Sequence, residues 1–169
     1  MWSTTKLIMV SQTLSSTAAL LFTFNIMLLL VFFVSYLPGI NSAWYNSLKM
    51  PNFDPWIARG LWLVAAFLSY VGLYLILLRV PTNKGLLIND FYLIGGFLTI
   101  IWSVAFLQLQ DLRLAVWLSL LLFLYQLWLL TYIFWLSPFL SLFLVPLVIM
   151  YFYLVYSMID LALLNQVPL

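Results

Sequence analysis

The chain contains no cysteine, no histidine and no glutamate, and of its 169 residues only six Lys or Arg and four Asp carry charge. Without Cys there are no disulfides, thiol nucleophiles or thiol redox pairs. Without His there is no Ser-His-Asp triad and no His-containing metal site, so the sequence offers neither catalytic residues nor metal ligands. A glycine-rich phosphate loop is missing too, because Gly95-Gly96 lies inside an apolar run and reads as a helix-packing site. A net charge of +2 with no basic cluster excludes nucleic acid as a partner.

The scarcity of charge is itself the main clue to the fold. Water-soluble domains have about a quarter of their residues charged, whereas this chain has 6% charged and 67% hydrophobic residues. Its uncharged runs cover 7–48, 60–78, 91–110 and 114–159, and one bilayer crossing takes about 20 apolar residues. Each middle run therefore holds one helix. The last run is long enough for two, and Ser137-Pro138 divides it, since proline ends or kinks a helix. The first breaks at Pro38-Gly39 and holds one helix followed by a long loop. The expectation is an all-α, integral membrane bundle of five transmembrane helices, at about 15–37, 57–78, 90–108, 114–135 and 139–161, with a lid-like loop over 38–56. Residues 1–169 read as a single multi-pass membrane domain. Short linkers make sequential helices antiparallel neighbours, and runs that are apolar all round exclude the alternation of a β-barrel. The stretch ahead of Leu20 reads as part of an uncleaved first helix rather than as a signal peptide. Orientation is undetermined, because Lys6, Arg79 and Lys84 on one face balance Lys49, Arg59 and Arg113 on the other. Asp54, Asp90, Asp111 and Asp160 all fall near helix ends or in loops, so no ionisable group stands at mid-membrane as a pump would require.

What the chain has in abundance is aromatic surface: eight Trp, ten Tyr and fourteen Phe. Trp2, Trp56 and Trp135 lie near predicted helix ends, where indoles anchor at headgroup depth. Trp117, Trp128 and Trp135 share one face of the fourth helix, a surface for lipid or packing, or else one wall of an aromatic cavity. Trp62, Ala65, Ser69 and Gly72 form a stripe of small residues below a Trp, which reads as interhelical contact. The polar groups within spans, Asn25, Thr99, Ser103, Gln126 and Thr131, read first as hydrogen-bonding partners of neighbouring helices.

The segment Pro38–Trp56, PGINSAWYNSLKMPNFDPW, is long for a loop in a compact fold, and such loops are usually lids or binding segments. Its Trp44-Tyr45, Leu48, Pro51 and Pro55 follow the pattern W-Y-x-x-L-x-x-P-x-x-x-P, which resembles the first-loop signature of the TspO/MBR family, the translocator or tryptophan-rich sensory proteins. Trp62, Gly72 and Tyr74 fit the family's second helix if two residues are missing after Pro55. Trp102-Ser103 with Phe106 resembles its N-x-x-W-x-P-x-F-F, and Ser137-Pro138 with Pro146 keeps the spacing of its S-P…P-Y. The resemblance covers about residues 20–165. Departures stand beside it: Thr99 replaces the family's Asn, Val104 its proline, Leu147 and Met150 the Tyr and Trp of P-Y-x-x-W, and Ser157-Met158 its Leu-Asn pair. The animal members' sterol-recognition pattern is absent from the fifth helix, since no Lys or Arg follows Arg113. A chance version occurs at Val71, Tyr74 and Arg79.

The resemblance implies five helices in a bacterial cell membrane or an organelle membrane. It further implies a tetrapyrrole or sterol-like small molecule, with protoporphyrin IX first, bound in an aromatic pocket for transport, scavenging or stress regulation. Trp44, Tyr45 and Pro51 would belong to the lid, and Trp62, Thr99, Trp102 and Met150 would line the cavity. Axial ligation of haem iron by His or Cys is impossible, so metal-free porphyrin is preferred and no resident cofactor is expected. The resemblance also admits light- and oxygen-dependent porphyrin breakdown beside Trp44 or Trp62, although no acid-base machinery supports turnover. The partners expected are the ligand, the lipid bilayer and, through helix-facing small residues, a second copy in a homodimer. The alternative is a structural or regulatory membrane subunit that keeps the fold without a small-molecule pocket.

Overall fold

A computed structural model describes residues 42–50, 55–80 and 82–167; the predicted first helix at about 15–37, Asn25 and Pro51 lie outside them. The described residues are helical, with no strand among them. A short helix, α1, spans Ala43–Ser47. It is followed by α2, Pro55–Arg79, and α3, Thr82–Ser103, which runs on as a π-helical segment over Val104–Gln108. The chain then forms α4, Leu112–Leu136, the short α5, Pro138–Ser141, and α6, Val145–Leu164. Four stretches, Gly60–Arg79, Asn83–Gln108, Leu112–Leu136 and Val145–Leu164, are long and apolar enough to cross a membrane.

Local chemistry accounts for the helix ends. Ser42 caps α1, its hydroxyl accepting from Tyr45 N at 3.1 Å. Asp111 caps α4 by accepting from Leu114 N at 2.9 Å. The turn into α4 passes through Gln110 at φ 57°. The third helix begins at Thr82, well ahead of the predicted 90, because charge marks the edge of the apolar layer and not the end of backbone hydrogen bonding. Lys84 and Asp90 ride on the helix. The last predicted helix, 139–161, is interrupted at 142–144 and extends to Leu164. Pro146 explains the interruption: it lacks the N–H that would bond the Leu142 carbonyl, and its ring crowds that carbonyl. The backbone tightens instead, with Phe143 N bonding Leu140 O and Leu144 N bonding Ser141 O.

Helix α4 packs on α3 and α6, and α2 packs on the same two helices from the other side. The buried face of α4, from Leu112 through Ala115, Ser119, Leu122, Gln126, Leu129 and Ile133, recurs every three or four residues. Buried side chains form two clusters. One is centred on Leu73, Ile76, Ile88, Leu122, Leu129 and Tyr151, the other on Phe106, Leu107, Ala115, Met158 and Leu161. Large apolar side chains such as Phe67, Ile94, Leu124 and Phe152 remain exposed on all four long helices. Exposed hydrocarbon in this amount suits lipid, not water. Because lipid supplies no hydrophobic drive between helices, close packing and interhelical hydrogen bonds hold the bundle together.

Gly60 shows where α2 carries no packing requirement: a Cβ there would meet nothing within 4 Å. Gly60→Ala should stabilise the protein by about 0.5–1 kcal/mol, the helix-interior penalty of glycine. A higher unfolding midpoint in detergent is the expected readout.

Candidate functional site

The residues singled out from the sequence fall at two adjoining places. At the first, α1 lays Trp44 and Tyr45 on Phe106, with ring centroids 5.7 and 6.1 Å apart in edge-to-face geometry. Trp102 stacks on the same ring at 5.7 Å and 17°. Phe106 thus has aromatic neighbours from the loop segment and from its own helix.

The π-helical segment begins at Val104, where the first-loop family's third-helix pattern carries proline. Leu109 N reaches back to Val104 O at 3.0 Å, an i to i+5 bond. A π-turn widens and re-aims a helix much as proline does. The helix is therefore distorted at this position even though the proline is missing.

At the second place, Trp62 of α2 meets Tyr151 of α6 edge to face at 6.5 Å and 75°. Tyr151 is buried, and its hydroxyl lies 2.9 Å from Thr99 Oγ1 of α3. Thr99 also donates to the Gly95 carbonyl at 2.9 Å. A hydroxyl has a single proton, so Thr99 accepts from Tyr151 and the order is Tyr151 to Thr99 to Gly95 O. Met150 is half-buried and packs against the same cluster as Trp62 and Trp102. Trp102 packs against both clusters, as Leu154 does, and so bridges the two places.

Two polar atoms here are buried without a hydrogen-bond partner, Trp102 Nε1 and Gln126 Oε1. An unmet buried donor or acceptor costs about 1–3 kcal/mol, so each calls for an explanation. Gln126 of α4 presses against Gly95, where a Cβ would lie 2.9 Å from its Nε2. That close approach explains half of the Gly95-Gly96 pair as a packing site.

The other polar residues turn inward on their own helices. Ser103 bonds Thr99 O and Thr131 bonds Leu127 O, both four residues back, so of these side chains Thr99 is the one seen bridging to another helix. The stripe of Ala65, Ser69 and Gly72 is buried, and Ser69 O accepts from Tyr92 of α3 at 3.2 Å. Trp117, Trp128 and Trp135 are 55%, 45% and 82% exposed, the disposition of lipid-facing indoles. Trp128 additionally packs with Phe91 and Tyr132.

Sequence reasoning did not single out Tyr151, which connects Trp62 to Thr99. Its neighbour Met150 stands out only through the family pattern, and in a span that is apolar all round no periodicity distinguishes one tyrosine from another. An apolar groove of about 260 Å³ also lies against α5, lined by Leu68, Phe139, Leu142 and Phe143. It contains none of the residues expected to contact a ligand.

Among described residues no group of three or more Asp, Glu, His or Cys side chains could hold a metal. The TspO/MBR family model matches residues 22–163. No curated protein matches the chain.

Proposed function

The chain belongs to the TspO/MBR family, and from that premise we propose that it binds a flat, apolar, polar-edged molecule between its helices beneath the 42–50 segment. A metal-free tetrapyrrole such as protoporphyrin IX is the first choice and a sterol the second. On this reading the stretch at about 15–37 supplies a fifth helix of an integral, multi-pass membrane protein. The observation that carries the proposal is the buried, unpartnered indole N–H of Trp102, whose ring stacks on Phe106, the ring on which Trp44 and Tyr45 of α1 also rest. Rings of this kind stack on a conjugated macrocycle, and the free N–H is a donor for a carboxylate or carbonyl at its edge. The Tyr151 oxygen, whose proton goes to Thr99, retains lone pairs for a ligand donor.

A second reading, a membrane subunit without a small-molecule pocket, is favoured by the way Trp44, Tyr45 and Trp102 all contact Phe106 rather than one another's shared space. Titration separates the two readings. Protoporphyrin IX added to the purified protein should quench Trp fluorescence saturably in the micromolar range, and Trp44→Phe or Trp62→Phe should weaken the effect. Linear quenching, identical in all three proteins, would mean detergent partitioning and would favour the subunit.

A further inference from the structure

One side chain reaches from the end of α6 to pair with the backbone of the 42–50 segment. Asn165, the residue that ends α6, accepts from Lys49 N at 3.0 Å through Oδ1 and donates from Nδ2 to Lys49 O at 3.2 Å. The partners are 116 residues apart. The same Nδ2 donates to Leu161 O at 2.8 Å, satisfying a carbonyl at the helix end. The amide therefore pairs with the backbone of Lys49 as a neighbouring strand would, while anchored to α6. A carboxamide sets an acceptor oxygen beside an NH₂ with two donors, and all three functions are used here. Below it, Trp44, Tyr45 and Leu48 rest on the cluster of Phe106, Met158 and Leu161.

We propose that Asn165 is a latch: it holds the 42–50 segment closed over the aromatic site and sets how fast a ligand leaves. The gating half of this statement rests on the ligand-binding reading above; the latch itself does not. Lys49 is exposed and is a tryptic site whose own carbonyl is held by the latch. Cleavage after it reports opening of the segment directly, because proteolysis of a locally opened region follows the population of the open form.

The test uses the full chain in lipid nanodiscs, comparing wild type with Asn165→Ala and Asn165→Gln. Trypsin cleavage after Lys49 is measured relative to cleavage after Lys84, and protoporphyrin IX dissociation is followed by stopped-flow fluorescence. Asn165→Ala should raise the cleavage ratio about tenfold, the change produced by about 1.4 kcal/mol, and speed dissociation by a similar factor. Asn165→Gln, which keeps both hydrogen-bonding functions, should recover part of each effect. A general loss of stability would accelerate both cleavages together and leave the ratio unchanged, which would overturn the latch. A raised ratio with unchanged dissociation would overturn the gate. If the wild type binds no porphyrin, the gate falls with the ligand reading, and the cleavage ratio still decides the latch.

Discussion

Trp102→Phe should leave the free protein as stable as the wild type or more so, and should weaken protoporphyrin IX binding about tenfold, the loss of one hydrogen bond of about 1.4 kcal/mol. The two effects have one cause. Trp102 Nε1 is buried without a partner, so the free protein bears the desolvation of a donor that gains nothing in return. Phenylalanine keeps a ring to stack on Phe106 and removes the unmet N–H. A bound molecule with an acceptor at its edge would satisfy that N–H, and the variant loses this gain. Trp102→Ala should behave differently. It removes the ring that packs against both buried clusters, and should cost about 3–5 kcal/mol of stability, as truncations of large core aromatics do. Chemical unfolding in detergent beside a porphyrin titration checks both variants. A Trp102→Phe protein that is clearly less stable than wild type would show that the indole N–H is satisfied in solution.

Gly72→Ala should destabilise the protein by about 1–3 kcal/mol, the range for overpacking a filled interface. A Cβ on Gly72 would sit 2.6 Å from Phe143 Cβ and 3.7 Å from Leu140 O. The nearest atom is bonded directly to backbone, so rotating the phenyl ring gives no relief, and α2 must move away from the α5–α6 turn. That turn cannot easily yield, because Pro146 enforces the interruption at 142–144. The Gly60 substitution is the internal control, since the same methyl on the same helix meets open space. An unfolding midpoint that falls for Gly72→Ala and rises for Gly60→Ala would confirm that the close crossing of α2 over Phe143 is a packing requirement.

Much of the architecture is readable in advance because membrane spans are written in composition. Arg79, Asp90, Asp111 and Arg113 mark edges of apolar runs, and within the described residues the four long helices cover those runs, with Lys84, Asp90 and Asp160 carried inside helices. Pro138 likewise announces the end of α4. The sequence is less informative where the physics depends on backbone detail. The start of α3 at Thr82 lies outside the apolar layer that charge delineates, and the break at 142–144 comes from a proline that in the sequence reads as one more family landmark. Trp44, Tyr45, Trp62, Thr99, Trp102 and Met150 were each nameable from motif spacing. Their division into a group around Phe106 and a group around Tyr151 was not, because it depends on helix rotation, and a span with no polar face leaves rotation unspecified. Asn165 was invisible for a simpler reason: a polar residue just past an apolar run reads as a helix end, and nothing in the local sequence points to Lys49.

The central claim is that a ligand acceptor meets the Trp102 indole N–H, and the resonance of that proton is the most direct witness. In ¹⁵N-labelled protein the indole N–H signal of Trp102 is identified by its loss in Trp102→Phe, then followed as protoporphyrin IX is added. The account predicts a downfield shift of this proton that saturates together with fluorescence quenching. A Trp102 signal that stays in place while the exposed indoles of Trp117, Trp128 and Trp135 shift would place the porphyrin on the lipid-facing surface and contradict the account.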